Sequence, residues 1–419
     1  MNGVIIAAPG SGSGKTTITL GLLRALRNAG IAIRSAKSGP DYIDPRFHAA
    51  ASGNECVNLD AWAMTPERIQ SLAMGDTPMV IEGAMGLFDG APPAGKGASA
   101  DLARILQIPV VLVVDVSHQA QSVAAVVSGF ANHRADVRIA GLILNKVGSP
   151  RHETMLRDAL ADTPIPILGC VHRDAKLQTP SRHLGLVQAS ERGDLDVFLE
   201  NAADVMATRI DLSTFQSLFV PMATTDNPPA ILPPPAQSIA IASDAAFAFS
   251  YPHLLDAWKS AGASLSFFSP LNNEPPAPAD LVFLPGGYPE LHAGKLAANE
   301  TFLNGVRNAP AVYGECGGFM AMGNAIIDAD GVAHKMLSLL NLETSFYKRK
   351  LTLGYRSLTA LGGEFNGNLT AHEFHYASTT HARGTPLFTA TDASGAALPD
   401  MGLINGHYSG SFAHVIDRA

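Results

Sequence analysis

The chain alternates short, uninterrupted aliphatic runs with segments of helical period. Gly3 to Ala8 is an apolar run that predicts a buried strand. Thr16 to Asn28 follows, with Leu20, Leu22, Leu23 and Leu26 at helical spacing. Ala32–Ala36, Met79–Ile81, Val110–Val114, Gly141–Leu144 and Ile165–Leu168 predict further strands. Aliphatic strands without polar alternation, separated by helices, indicate a parallel sheet covered on both faces. The pattern restarts at Ser238–Ala242 and continues through Leu281–Leu284 and Ala311–Tyr313. From Glu343 to Tyr376 the chain turns richer in Thr, Tyr and Phe, which predicts antiparallel strands. The fold class is therefore α/β, in two domains.

Proline marks the boundary. Asn227 to Ala236 holds five prolines in ten residues, a composition that favours an extended linker. The predicted organisation is a first domain over 1–226, a linker over 227–237 and a second domain over 238–419. Both domains are of ordinary size.

Composition narrows the function. Of 419 residues, 47% are hydrophobic and 16% charged, with net charge −8. Disorder is excluded, because it needs low hydrophobicity and high charge. No basic excess supports binding to nucleic acid or to an anionic membrane. No apolar run approaches the roughly 20 residues of a membrane span, and the N-terminus does not read as a secretory signal. Cys56, Cys170 and Cys316 do not make a disulfide framework. A reduced, cytoplasmic protein is expected. Its oligomeric state stays open, with a homodimer as one option.

After the first strand, Pro9-Gly-Ser-Gly-Ser-Gly-Lys-Thr-Thr17 opens a helix. Strand, glycine-rich turn, Gly-Lys-Thr and helix form the context of a nucleotide phosphate loop. Gly12 and Gly14 let backbone N–H groups approach phosphates, and the helix N-terminus adds positive partial charge. Lys15 is the candidate phosphate ligand, Thr16 the Mg²⁺ ligand, and Thr17 a further nucleotide contact. Pro9 stands where the usual pattern has its first glycine.

Acidic and amide residues follow at strand ends, where open α/β sheets place ligands. Glu82 ends a strand before Gly83-Ala-Met-Gly-Leu-Phe-Asp89. Asp41, Tyr42 and Asp44 lie in a proline-bounded turn. Asp115 ends another strand, and Asn145 is an amide suited to a nucleobase edge. Any one such acid serves equally well as a turn cap. Thr16, Asp41 and Glu82 form the candidate metal set.

In the second half, Gly314-Glu-Cys316-Gly-Gly318 follows a strand and enters a predicted helix. Flanking glycines permit the sharp turn of a nucleophile elbow, and a helix N-terminus favours thiolate. The alternative is a buried structural thiol. A cysteine nucleophile needs a base. His414 is the first candidate, with His372 and His375 as rivals. Gly286 and Gly287, after a strand, are candidates for an oxyanion hole.

These motifs carry a family resemblance over nearly the whole chain. The second half resembles a class I glutamine amidotransferase domain, and the first resembles the dethiobiotin-synthetase-like P-loop group. In this order they resemble the cobyrinate and hydrogenobyrinate a,c-diamide synthases of cobalamin biosynthesis. Further signatures are Ser38-Gly-Pro-Asp-Tyr-Ile-Asp-Pro45, Asn58-Leu-Asp60, Arg182-His-Leu-Gly-Leu186, Leu353-Gly-Tyr-Arg356 and His372-Glu-Phe-His-Tyr376. The resemblance implies a carbon–nitrogen ligase that uses ATP and Mg²⁺ to phosphorylate two corrinoid carboxylates. L-Glutamine, hydrolysed at Cys316, supplies the ammonia. It assigns Cys316 as nucleophile and His414 as base. It also assigns Glu82 to the metal, and Asp41, Tyr42 and Asp89 to substrate orientation or carboxylate activation. Many class I amidotransferases carry Glu two residues after the histidine; here that residue is Ile416, so a Cys–His dyad is implied, with orientation of His414 by another group left open. His48, His183 and His292 fall in family motifs without an assigned role.

Hydrogenobyrinic acid is the expected substrate and cobalt-containing cobyrinic acid the close alternative. A regulatory, non-catalytic P-loop ATPase is the alternative of a different class, and the intact cysteine elbow argues against it. A polycarboxylate substrate and a net acidic chain together require a local basic pocket, with Lys37, Arg46 and Lys348-Arg349-Lys350 as candidates.

Overall fold

The computed structural model describes residues 1–177 and 193–419. The Arg182–Leu186 motif, with His183, lies outside them. Two compact units are present, Met1–Pro229 and Ala230–Ala419.

The first unit is built on seven parallel strands: β1 (Asn2–Ala7), β2 (Arg34–Ser38), β3 (Cys56–Leu59), β4 (Met79–Glu82), β5 (Val110–Asp115), β6 (Ile139–Val147) and β7 (Ile167–His172). Their order is β3-β2-β4-β1-β5-β6-β7. A short β8 (Val220–Pro221) adds antiparallel to the start of β1. Strand order reverses around β1, so its C-terminal end is the crevice where such sheets hold ligands. The aliphatic runs explain the sheet: Val4, Ile5, Ile6, Val80, Ile81, Val111 and Val113 are fully buried.

Helix α1 (Lys15–Asn28) covers one face. It sits close to the helix Leu195–Arg209, because Gly21 has no side chain there; a Cβ would lie 2.7 Å from the Ala202 carbonyl oxygen. Arg24 holds the two helices together through Asp196 at 2.7 Å and Glu200 at 3.0 Å. α2 (Asp44–Ser52) starts with Pro45 in its first turn and ends at Gly53, which takes a left-handed φ of 77°.

Strand β3 is not predicted by the hydrophobic pattern. It is four residues long, carries Asn58, and lies at the sheet edge, where pairing with β2 alone holds it. β6 runs past the predicted Leu144, and its register sets Asn145 beside Asp115 of β5.

The second unit has a parallel core of β9 (Ser238–Ala242), β10 (Ser264–Phe268), β11 (Leu281–Leu284) and β12 (Val312–Glu315), in the order β10-β9-β11-β12. Strand Tyr408–Ser411 continues it in parallel beside β12. A five-stranded antiparallel sheet follows, in which Thr352–Ala360, Asn368–His375 and Ala413–Arg418 are neighbours. The antiparallel character expected up to Tyr376 thus continues to the last residues. Strand Ala325–Ile327, at the centre of a third, four-stranded sheet, also lies outside the predicted strands. Among the described residues, no helix is long and apolar enough to cross a membrane.

Candidate active site

Each unit gathers its candidate residues at the C-terminal ends of its central strands. In the first, β1 leads into a loop in which Gly12 (φ 78°) and Gly14 (φ 82°) take left-handed conformations. Lys15 begins α1, and its side chain is buried. Burial pushes its ammonium below the ordinary lysine value, although Glu82 is close by. The Thr16 hydroxyl donates to Glu82 Oε1 at 2.6 Å.

Glu82 is the hub of this site and is fully buried. Oε1 also accepts from Lys37 Nζ at 2.8 Å, and Oε2 accepts from His48 Nε2 at 2.6 Å. Burial alone would raise its pKa, but Lys37 and His48 hold the carboxyl well below the usual range. Lys37 in turn contacts Asp44 at 2.5 Å. It is held charged by Glu82 and Asp44 against the cost of burial. Lys37 was expected to meet substrate carboxylates; here its charge is already compensated by two internal acids. On the other side of His48, the Cys56 thiol lies 3.6 Å from Nδ1. Burial opposes the charge on His48, yet Cys56 and Glu82 raise its pKa to about 10.

Asp41 stands at the mouth of the turn after β2. Its Oδ1 accepts from the N–H groups of Ile43 and Asp44 at 2.8 and 3.0 Å. Burial and the neighbouring Asp44 push its pKa up to about 6. Asn58 staples the turn by donating to the Gly39 and Asp41 carbonyls. Tyr42 is half-buried beside Asp41. Asp89 is exposed and closes its own loop by accepting from Gly86 N–H at 3.0 Å. That loop lies against the phosphate loop: Leu87 N–H donates to the Ala8 carbonyl, and a Cβ on Gly86 would lie 2.7 Å from the Pro9 oxygen.

Asn145 and Lys146 brace the phosphate loop from β6. The Asn145 amide nitrogen donates to the Ser13 carbonyl at 2.8 Å. Lys146 donates to the Gly12 carbonyl and pairs with Asp115 at 2.6 Å. A cleft of about 340 Å³ beside them is lined by Gly14, Thr17, Asn145, Lys146, Arg173 and Leu177. Asn145 therefore borders the cleft with one of its two amide hydrogens given to the loop.

In the second unit, Cys316 sits between β12 and the short helix Gly317–Met322 with φ 47° and ψ −104°. A non-glycine residue held there is strained, and its neighbours permit it. Gly314 and Gly318 let the turn fold onto the sheet; a Cβ on Gly318 would lie 1.8 Å from the Leu284 carbonyl oxygen. Strand Ala413–Arg418 carries His414, whose ladder partner is His372. The His414 ring lies against Gly286, where a Cβ would stand 2.1 Å from Cε1. The next residue, Gly287, packs against Gly317: its nitrogen lies 3.0 Å from where a Gly317 Cβ would be. Gly286 and Gly287 thus link His414 to the cysteine turn, while the Cys316 thiol itself donates to the Phe374 carbonyl at 3.7 Å.

His375 is held by other groups. It bonds Glu373 at 2.9 Å and stacks on Phe412 at 3.9 Å. His372 packs against Tyr355, and burial lowers its pKa to about 4. The helix N-terminus was expected to favour thiolate at Cys316. Instead burial, reinforced by Glu290, pushes the thiol pKa well up, while burial pushes His414 down to about 3. The helix has only six residues, and desolvation outweighs its dipole. The resting pair is neutral thiol and neutral imidazole.

Residues 4–187 match the CobQ/CobB/MinD/ParA nucleotide binding domain, and residues 238–418 match the CobB/CobQ-like glutamine amidotransferase domain. A Brucella anthropi protein named hydrogenobyrinate a,c-diamide synthase is 55% identical, across 100% of this chain and 99% of its own. A Rhizobium meliloti protein of the same name is 50% identical over the same shares. The chain belongs to the hydrogenobyrinate a,c-diamide synthase family.

This chain joins nucleotide-binding and glutamine amidotransferase parts, and the protein is a glutamine-dependent amidating ligase. The family's sequence motifs mark most of what the two sites contain. They do not mark the enclosure of Glu82 by Lys37 and His48, or the pairing of Lys37 with Asp44. The signal available was Lys37 at a strand end beside the Gly-Pro-Asp turn, which reads equally well as an exposed base. Glu315 is a second residue not singled out. Its Oε2 lies 3.8 Å from His414 Nδ1.

Proposed function

We propose that this protein, working in the cytoplasm, amidates the a- and c-carboxylates of hydrogenobyrinic acid in cobalamin biosynthesis. It uses ATP with Mg²⁺ for activation and glutamine as nitrogen donor. The observation that carries the reading is one chain holding both a phosphate loop with Thr16 on Glu82 and a cysteine elbow beside His414. The relatives' names supply the substrate, and they favour the metal-free macrocycle over cobyrinic acid.

The chemistry needs two sites. A carboxylate is a poor acyl donor because its leaving group would be oxide or hydroxide. In the first unit, a substrate carboxylate oxygen attacks the γ-phosphorus of ATP; the bond to the β-phosphate oxygen breaks and ADP leaves. Lys15 and the N–H groups around Gly12 and Gly14 hold the transferring phosphate, and Thr17 borders the nucleotide. Asp41, Tyr42 and Asp89 orient the substrate. Thr16 and Glu82, with Asp41 as a further carboxylate, are the residues that would hold the cation, which would share Glu82 with Lys37 and His48. Bound Mg²⁺ would neutralise charge on the phosphates.

In the second unit, His414 takes the proton of the Cys316 thiol as sulfur attacks the glutamine amide carbon. The N–H groups of Gly287 and Gly317 face the oxyanion that forms. His414 returns the proton to the leaving nitrogen, ammonia departs, and water hydrolyses the thioester to glutamate. Ammonia then attacks the acyl phosphate carbon and phosphate leaves.

The test is glutamine hydrolysis by wild type and Cys316→Ala, with amidation driven by glutamine or by ammonium. Loss of hydrolysis in Cys316→Ala, with ammonium-driven amidation retained, supports the reading. Equal hydrolysis by both proteins contradicts it.

A further inference from the structure

We infer that Glu315, the residue immediately before the nucleophile, is the acid that positions His414, and that the second unit works as a Cys316–His414–Glu315 set. The inference rests on the glutaminase reading of Cys316. It supplies the group that the residue two beyond the histidine, Ile416, lacks.

The geometry has three parts. Glu315 ends β12, so the strand that delivers the nucleophile also delivers the carboxylate. Its side chain is buried, and one oxygen is fixed from two directions. Oε1 accepts from the Tyr313 hydroxyl at 3.0 Å and from Val415 N–H at 3.1 Å. Val415 directly follows His414, so the bond that anchors the carboxylate also anchors the backbone of the histidine. That anchoring leaves Oε2 toward the ring, 3.8 Å from His414 Nδ1. This is ion-pair distance and not yet a hydrogen bond. Catalytic contacts of this kind tighten when substrate binds.

The role follows from proton placement. His414 can accept the thiol proton at Nε2 only if its own proton sits on Nδ1. An ionised carboxylate beside Nδ1 selects that tautomer and stabilises the imidazolium that forms. The other titratable groups near the pair are His372 and His375, which disfavour a charged His414, and Glu290 and Glu373, which together with Glu315 itself disfavour thiolate. Glu315 is an acid within ion-pair reach of the ring. Burial pushes its own carboxyl up to about 8, partly offset by Val415 N–H and Tyr313. Hydrolysis should therefore rise with pH as Glu315 ionises.

The experiment is glutamine hydrolysis by the full chain as a function of pH, for wild type, Glu315→Gln and Tyr313→Phe. Thermal unfolding and ammonium-driven amidation are recorded in parallel. Glu315→Gln preserves shape and can still accept from Val415 and Tyr313. It should lower kcat by roughly 10–100-fold, within the range that general acid–base catalysis supplies. KM for glutamine and ammonium-driven amidation should stay near wild type, and the rising limb near pH 8 should vanish. Tyr313→Phe removes a donor that favours the ionised form, so its limb should move to higher pH. Wild-type kcat and limb in Glu315→Gln would overturn the inference while leaving Cys316 assigned. Hydrolysis surviving Cys316→Ala would instead overturn the glutaminase reading itself. If Glu315→Gln does not fold, Tyr313→Phe decides: an alkaline shift of the limb supports the inference and an unmoved limb overturns it.

Discussion

The Thr16 hydroxyl rests on the Glu82 carboxylate at 2.6 Å, joining the phosphate loop after β1 to the end of β4. The two strands are neighbours in parallel register, with Ile6 opposite Glu82. The sheet itself therefore fixes the distance between hydroxyl and acid.

Removing the Glu82 charge tests this link. Glu82→Gln leaves buried Lys37 and His48 facing a neutral amide. Breaking a buried ion pair from one side costs about 3–5 kcal/mol, so the first unit should unfold at clearly lower temperature. Amidation driven by ATP should fall by at least about 100-fold, the scale of losing charge stabilisation at a reacting centre, whereas glutamine hydrolysis should be retained. Calorimetry and the two assays check both halves of this expectation.

Lys15→Ala separates the units in the other direction. The variant loses the cation that begins α1 and should lose ATP-dependent amidation, whichever nitrogen source is offered. Its glutaminase should survive. Loss of both activities in a folded protein would contradict a division of labour between the units.

Gly286 offers a steric probe. A methyl group there would stand 2.1 Å from His414 Cε1 and 2.9 Å from Nε2, and a buried ring has little freedom to yield. Gly286→Ala should displace the histidine. A displacement of about 1 Å can cost about 10²-fold in rate, so glutamine-driven amidation should fall by that order. Ammonium-driven amidation should be preserved.

Stability of the second unit should peak near pH 6.5. Burial lowers His414 to about 3 and His372 to about 4 from an ordinary 6.5. Below pH 6.5 the unfolded chain binds protons on these rings that the folded chain does not, so stability falls with acidification. Glu315 has the opposite sign. The folded chain keeps its proton up to about pH 8, while the unfolded chain releases it near 4.5. Its contribution is lost as pH rises through that window, and Glu315→Gln should flatten the alkaline decline. In a Trp62→Phe background, the remaining Trp258, buried in the second unit, reports the unfolding. A steady rise of wild-type stability from pH 6.5 to 8 would contradict these assignments.

The legible parts were those where one short run of sequence dictates one local structure. Strand, glycine loop and Gly-Lys-Thr specify the phosphate site because a single turn does the binding. Gly314, Cys316 and Gly318 specify the elbow because only glycines fit on either side. Illegible parts depended on side chains meeting across strands. Lys37 read as a free base because its partners, Asp44 and Glu82, come from α2 and β4. Glu315 went unread because its relation to His414 is made by a fold bringing the end of β12 to the last strand. β3 was missed because an edge strand needs only one neighbour and tolerates Asn58. The resting protonation of Cys316 was read in reverse, since burial is a property of the fold and not of the motif.

The most direct measurement is mass spectrometry of hydrogenobyrinic acid after incubation with the full chain, ATP, Mg²⁺ and glutamine. The expected product has NH₂ in place of two OH groups, with two ATP and two glutamine consumed, and none forms when ATP is omitted. Recovery of unmodified hydrogenobyrinic acid, from protein that hydrolyses both ATP and glutamine, would contradict this expectation.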